Sequence, residues 1–320
     1  MDIAVIGMGA MGRTHYAMLK EHVGINAKIL CDTNQAQLEG LEAEIKTTNV
    51  SEAIDQADVV MVATPTHLHA GIVLEALTKG KTVFCQKPLA RTLDEAKQIL
   101  EAVRSNGKPF QVGYIMRYSS VWNKVKEMME KIGSPIFWRE IWHINGQSYP
   151  PWLSGSEGGG VLFEDSHRLE FLCHALGKPI AVMGFVDSFT PKYHDTMGVM
   201  IKFQNGTAMW SDSWARTAPG QSNRKPRIVF DAIGHEGHIV HPVRENETIL
   251  YDLNGNEQET ITWDHLGISG YEVEMKSFMN HVNGAPLEGC SIEEAVQVIA
   301  LIDAIEKASI QGGIIPVEQF

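Results

Sequence analysis

The apolar run Ile3-Ala4-Val5-Ile6 passes directly into Gly7-Met8-Gly9-Ala10-Met11-Gly12. Four consecutive apolar residues followed by glycines at this spacing fit a buried strand that turns sharply into a helix. In such a turn Gly7 permits the tight bend, Gly9 lets the backbone approach a pyrophosphate, and Gly12 lets the helix pack on the strand. The helix N-terminus, beginning at Ala10 and Met11, then offers free N–H groups and a positive dipole end to negative charge. Asp32 follows 20 residues after Gly12, at the end of the next apolar segment. A carboxylate there accepts hydrogen bonds from both adenosine ribose hydroxyls and repels a 2′-phosphate. These residues point to a nicotinamide dinucleotide, NAD in preference, with Thr33 and Asn34 leaving NADP open. A glycine-rich turn of another α/β domain and an FAD site are the competing readings.

Up to about residue 115, apolar segments at 3–6, 27–31, 59–62, 82–85 and 110–112 alternate with stretches of helical length at 38–45, 69–78 and 92–104. Thr92 and Glu95 stand at capping-box spacing, which gives the last of these helices a defined start. Such alternation implies a parallel sheet covered on both faces. After residue 120 the pattern changes. One helix at 121–131 ends before Gly133, and strand-like stretches then follow at 136–144, 181–188, 197–203, 207–214, 228–233 and 248–252. Asn205-Gly206 and Asn254-Gly255 signal hairpins, because both residue types tolerate positive φ. A final helix starts at Ser291, with Glu294 at capping-box spacing and Ile292, Ala295, Ile299 and Ile302 on one face, and stops near Gly312. Two domains are expected, 1–118 and 119–320, with the final helix (about 291–311) able to pack back on the first.

Composition narrows the function classes. With 44% hydrophobic and 21% charged residues the 320-residue chain reads as a soluble globular protein. Its net charge of −12, without a basic run, argues against nucleic acid and against an anionic membrane as partner. No apolar stretch approaches the roughly 20 residues that cross a bilayer. The start at Asp2 lacks the basic region of a signal peptide. Cys31, Cys85, Cys173 and Cys290 are widely spaced without a C-x-x-C pair, which reads as reduced thiols in the cytoplasm.

Two further segments place polar residues at strand ends of the first domain, Thr64-Pro65-Thr66-His67-Leu68-His69 and Gln86-Lys87-Pro88, and a third, Gly158-Gly159-Gly160, leads to His167. A glycine turn, then T-P-x-x-x-H, then a Lys-Pro segment, then a glycine-rich approach to a histidine resembles the Gfo/Idh/MocA oxidoreductases. That family includes glucose–fructose oxidoreductase and inositol dehydrogenase, and the resemblance spans essentially the whole chain. It implies an α/β N-terminal Rossmann domain, a parallel doubly wound sheet, followed by an α+β C-terminal domain with a large, mostly antiparallel open sheet. It further implies cofactor contacts at Gly7, Gly9, Ala10, Met11, Gly12, Asp32, Thr64, Pro65, Thr66, His69, Gln86 and Lys87. A homodimer or homotetramer formed through the C-terminal sheet is implied in the same way.

Two departures from the family pattern matter. Glu-Lys-Pro is here Gln86-Lys87-Pro88, so an amide replaces the charge beside Lys87, the residue that the resemblance places at nicotinamide and substrate. Phe163 occupies the position four residues before His167, where the common pattern has Asp. Glu164 then becomes the substrate-side carboxylate, with Asp165 as second choice and Glu170 as the acid three residues after the histidine. On one continuous helix Glu164 and His167 would be i,i+3 neighbours on a shared face.

The expected chemistry is hydride transfer between a nicotinamide and a secondary alcohol or ketone of a sugar, inositol or related polyol. His167 would act as acid/base, Lys87 would stabilise the developing alkoxide, and Glu164 would orient substrate hydroxyls. Arg117, Asp165 and Trp152 are further substrate-side candidates. An NAD-using glycoside hydrolase and a catalytically silent NAD-binding regulator are the alternatives. No metal site is expected: His235-Glu236-Gly237-His238 with His241 is not H-E-x-x-H, and on a strand His238 would face away from His235 and His241. Trp138 with Trp142, and Trp210 with Trp214, should each share a sheet face, for packing or a subunit interface.

Overall fold

The computed structural model describes residues 1–143, 153, 155–190, 192–214, 227–242, 247–263 and 268–320. The chain forms two compact units, Met1–Tyr118 with Gly267–Ile299, and Ser119–Leu266 with Ala300–Phe320.

The first unit alternates β1 (Ile3–Ile6), α1 (Ala10–Met18), β2 (Ile29–Cys31), β3 (Ile45–Thr47), α2 (Val50–Asp55), β4 (Val59–Val62), α3 (His69–Thr78), β5 (Thr82–Gln86), α4 (Leu93–Asn106) and β6 (Phe110–Gly113). All six strands run parallel in the order β3-β2-β1-β4-β5-β6. The order reverses between β1 and β4, and in such sheets the crevice beyond the strand ends at that reversal receives the ligand. β1, β2, β4 and β5 are buried at every position, which accounts for the unbroken apolar sequence of the first three and the apolar centre of β5, Val83 to Cys85. The capping box of Thr92 and Glu95 is formed at the start of α4.

One helix expected from the sequence is absent. Residues 38–45 end a 3-10 turn, Gln35–Leu38, and then lead into β3. Gly40 at φ +71° breaks the segment, and the helix of this region comes later as the six-residue α2, whose Glu52 N–H donates to the Asn49 side chain at 3.2 Å.

The second unit contains α5 (Ser120–Lys131), β7 (Ile136–His143), α6 (Val161–Glu164), α7 (Ser166–Leu176), β8 (Pro179–Asp187), β9 (Thr196–Phe203), β10 (Gly206–Ser213), β11 (Arg227–Ile233), β12 (Gly237–His241), β13 (Glu247–Asp252) and β14 (Glu257–Thr262). A nine-stranded sheet runs β14-β13-β12-β11-β7-β10-β9-β8-β15, where β15 is Ile315–Pro316. Every neighbouring pair is antiparallel except β7 with β10. Its covered face carries an aromatic cluster in which Trp138 stacks on Phe230 with centroids 4.7 Å apart, beside Trp122, Phe171 and Trp263. Each such ring pair contributes about 0.5–1.5 kcal/mol beyond its buried area. Trp138 and Trp210 are fully buried, so these tryptophans serve packing.

The β9–β10 hairpin forms, but not for the reason its dipeptide suggested. Gly206 is the first residue of β10, pairs with Phe203, and has no positive φ. A Cβ at Gly206 would lie 2.2 Å from the Ile136 carbonyl oxygen, so close approach of β7 demands the glycine. Gly255, in the turn between β13 and β14, does have positive φ, +81°.

α8 (Ile268–Val282) belongs to the first unit, and α9 (Ile292–Gln311) begins in the first unit and ends in the second. Met275, Phe278 and Met279 of α8 join Ile3, Val5, Leu30, Met61 and Phe84 in the first unit's core. Ser291 and Glu294 exchange hydrogen bonds at 2.8 and 3.2 Å, completing the capping box expected at the start of α9. No described helix is long and apolar enough to cross a membrane.

Candidate functional site

The glycine turn joins β1 to α1. A Cβ at Gly7 (φ +91°) would lie 2.7 Å from the Ala63 carbonyl carbon, and one at Gly12 only 1.8 Å from the Gly7 oxygen. At Gly9 a Cβ would meet nothing within 4 Å among the described residues. The outer glycines are therefore required by the protein's own packing, and the middle one borders open space. α1 starts at Ala10 and Met11 with no side-chain cap and no acidic residue in its first turn, leaving its positive end uncompensated. Asp32 ties β2 to this turn, its Oδ2 accepting the Met8 N–H at 2.7 Å and its Oδ1 the Asn34 N–H at 2.8 Å.

The T-P-x-x-x-H and Lys-Pro segments meet through His69, which is almost fully buried. Its Nε2 lies 2.8 Å from the Thr64 carbonyl oxygen and its Nδ1 2.8 Å from that of Pro88. Burial holds this imidazole below its ordinary pKa. Pro65 and Thr66 lie between these anchors, and the buried Thr64 hydroxyl has no hydrogen-bond partner among the described residues. Gln86 is buried at the end of β5, and its Oε1 accepts the Lys87 N–H at 2.7 Å. Lys87 itself is partly exposed. Arg117 pairs with Glu294 at 2.8 Å and donates to the Gly289 carbonyl at 3.3 Å, which anchors the approach to α9.

In the second unit the helix containing Glu164 and His167 is broken. α6 ends at Glu164, Asp165 forms the joint, and α7 opens at Ser166. α6 is a single turn entered from Gly160 at φ +67°, where a Cβ would lie 2.3 Å from the Tyr193 carbonyl oxygen. The single-helix i,i+3 geometry expected for Glu164 and His167 is thus replaced by a kinked pair of short elements. Along 161–172 Glu164 and His167 are half-buried and every other residue is buried. Asp165 and Glu170 are buried. Asp165 lies against Asp212 of β10, and burial, with the neighbouring carboxyl, pushes the Asp212 pKa well above the usual carboxylate range. Beside them Arg168 pairs with Glu140, its guanidinium 4.4 Å from the Trp122 ring and 4.5 Å from that of Trp142. Trp152 lies outside the described residues.

Of the histidines near 235, only His238 and His241 lie on β12, where they take opposite faces as expected. His235 is in the turn before β12, His238 stacks on Tyr251 at 5.0 Å, and buried His241 stacks on Phe230 at 4.9 Å. Among the described residues no group of three or more His, Cys, Asp or Glu could hold a metal ion.

Residues 1–114 match the family model described as an oxidoreductase family with NAD-binding Rossmann fold, and residues 141–318 match its C-terminal alpha/beta domain. The chain belongs to the Gfo/Idh/MocA oxidoreductase family. Among its relatives is an inositol 2-dehydrogenase/D-chiro-inositol 3-dehydrogenase of Shouchella clausii, 26% identical, with 97% of this chain and 92% of that protein covered. A scyllo-inositol 2-dehydrogenase (NAD(+)) of Bacillus subtilis is 27% identical, with 81% and 79% covered. An NAD binding oxidoreductase from Klebsiella pneumoniae superposes with TM-score 0.85 at 20% identity, covering all of both chains. Levoglucosan dehydrogenase in complex with NADH superposes with TM-score 0.81 at 23% identity, again over all of both chains.

This Gfo/Idh/MocA chain is an NAD-dependent oxidoreductase. Its first unit fits the cofactor on its own geometry: the open side of Gly9, the uncapped start of α1, the Asp32 carboxylate and the unpartnered Thr64 hydroxyl all lie at the C-terminal edge of the sheet. Sequence reasoning missed His15, Glu140 and Asp212. His15 carried one faint signal, its place three residues after Gly12. The others gain meaning only from strands distant in the chain.

Proposed function

We propose that the chain oxidises a secondary alcohol of an inositol, sugar or related polyol to the ketone, or reduces the ketone, with His167 as acid/base, Lys87 as the cation beside the reacting oxygen and Glu164 as the carboxylate that orients substrate hydroxyls. The observation that carries the reading is the selective opening of Glu164 and His167 in an otherwise buried segment. In the oxidative direction the hydroxyl proton passes to His167, and the Lys87 ammonium steadies the oxygen as its negative charge develops. Bound NAD+ supplies the hydride acceptor. The inositol relatives support the substrate class.

The test is NADH formation with inositol isomers, levoglucosan and free sugars. Turnover with at least one polyol is expected, and His167→Ala should lower it roughly 10²–10⁴-fold while NAD+ binding persists. NAD+ binding without turnover on any of them would favour the NAD-using glycoside hydrolase or the silent regulator.

A homo-oligomer formed through the open face of the nine-stranded sheet is part of the same proposal. Met183, Met200 and Met209 stand side by side on neighbouring strands and are exposed, with Phe137 and Phe185 on the same face. Met200→Glu should lower the mass seen by light scattering. The wide cysteine spacing supports a reducing, cytoplasm-like compartment.

A further inference from the structure

The amide of Gln86 has a determinable orientation. Lys87 N–H is a donor, so the Gln86 atom 2.7 Å away is the amide oxygen. Gln86 Nε2 then points at His15 Nε2, 2.9 Å away. A donor facing that ring nitrogen requires a lone pair on it, so His15 is neutral and carries its proton on Nδ1. The reversed amide would set two N–H donors against each other at Lys87. His15 is fully buried on α1, edge-on to Phe84 at 5.1 Å and to Tyr271 at 6.0 Å, and burial pushes its pKa down to about 4. Its Nδ1 has no hydrogen-bond partner among the described residues.

We propose that His15 is a positioning residue for Lys87: as a neutral acceptor it locks the Gln86 amide, and the amide oxygen holds the Lys87 backbone. The inference rests on the role proposed above for Lys87. A glutamate at position 86 would accept on both sides and could pair with His15 only if the ring brought a proton on Nε2. Gln86 and a neutral His15 are therefore a matched pair, and Lys87 is held without a neighbouring carboxylate at position 86.

The test uses the full chain labelled with ²H and ¹⁵N. At neutral pH the His15 ring, assigned by its loss in His15→Gln, should show the nitrogen shifts of the neutral Nδ1–H tautomer. In His15→Leu the Lys87 amide should exchange about tenfold faster, as expected for one lost hydrogen bond. The Val83, Phe84 and Cys85 amides of the same strand should not change. His15→Gln, whose side-chain oxygen can accept, should restore the Lys87 rate. An Nε2–H tautomer, an imidazolium, an unchanged Lys87 rate, or equal acceleration along all of β5 would each overturn the proposal. If His15→Leu does not fold, the tautomer and the His15→Gln exchange rate decide. Lys87→Met separates the two readings. In that variant, unchanged turnover of the polyol the wild type oxidises would remove the catalytic role of Lys87, whereas its loss together with a wild-type exchange rate in His15→Leu would remove only the positioning role.

Discussion

The Asp32 carboxylate accepts the Met8 N–H at 2.7 Å, so the group expected to read the adenosine ribose also braces the turn expected to hold the pyrophosphate. Asp32→Asn keeps the shape and removes the charge. Loss of one charge-assisted hydrogen bond, about 1.5–3 kcal/mol, should weaken NAD+ binding roughly 10–100-fold. NADP+ should lose less, because the repulsion of its 2′-phosphate also disappears. Fluorescence titration with both dinucleotides measures the ratio, and an unchanged preference would mean that another group sets it.

Glu274 of α8 is fully buried, neither carboxyl oxygen has a partner among the described residues, and burial raises its pKa from 4.5 to about 8. Between those values the folded chain keeps a proton that the unfolded chain releases. Stability contributed by this group is therefore fully present below about pH 4.5 and is lost as pH rises towards 8. At about 1.4 kcal/mol per unit, the cost at the alkaline end is on the order of 5 kcal/mol. Glu274→Gln should match the wild type near the acid end and exceed it in stability near the alkaline end, as followed by urea unfolding across the range.

Arg168 and Glu140 are paired where neither reaches solvent, with the guanidinium between Trp122 and Trp142. Glu140→Ala leaves that buried cation without its ion-pair partner, with only the Asp165–Asp212 acids as neighbouring charge, and should cost up to about 3–5 kcal/mol. Glu140→Leu combined with Arg168→Met removes both charges and should recover most of the loss. Chemical denaturation of the single and double variants gives the comparison; equal losses in both would show that the pair itself, not the stranded charge, carries the stability.

Glu164 and Asp165 are adjacent but differently placed, one open and one buried against Asp212. Glu164→Gln should raise KM for the polyol about tenfold, the loss expected for one hydrogen bond to substrate, and leave the melting temperature near wild type. Asp165→Asn should act mainly on stability. Steady-state kinetics beside thermal melts would separate them, and the reverse assignment follows if Asp165→Asn alone raises KM.

Several parts of the architecture were legible from local pattern. Helix α3 falls on residues 69–78 as expected, because its apolar period and its breaks are contained within those residues. The two capping boxes are equally local, each needing only a hydroxyl and a carboxylate three residues apart. The expected helix at 38–45 failed because a helix-length stretch with polar residues does not show whether Gly40 ends it. The short α6 before the joint at Asp165 was equally hidden, since Gly160, where that turn begins, is crowded by Tyr193 from a distant segment.

By itself the sequence determined the strand–glycine turn–helix unit, the acid at the end of β2, and the order of motifs that places this chain in its family. Those properties depend on residues adjacent in the chain or on a spacing that can be counted. Tertiary structure alone decided that Gln86 faces His15, 71 positions away, that Asp165 shares its surroundings with Asp212, and that Gly206 yields space to β7. Burial and the identity of a hydrogen-bond partner are properties of neighbours in space, and folding brings those neighbours together from parts of the chain that carry no mark of one another.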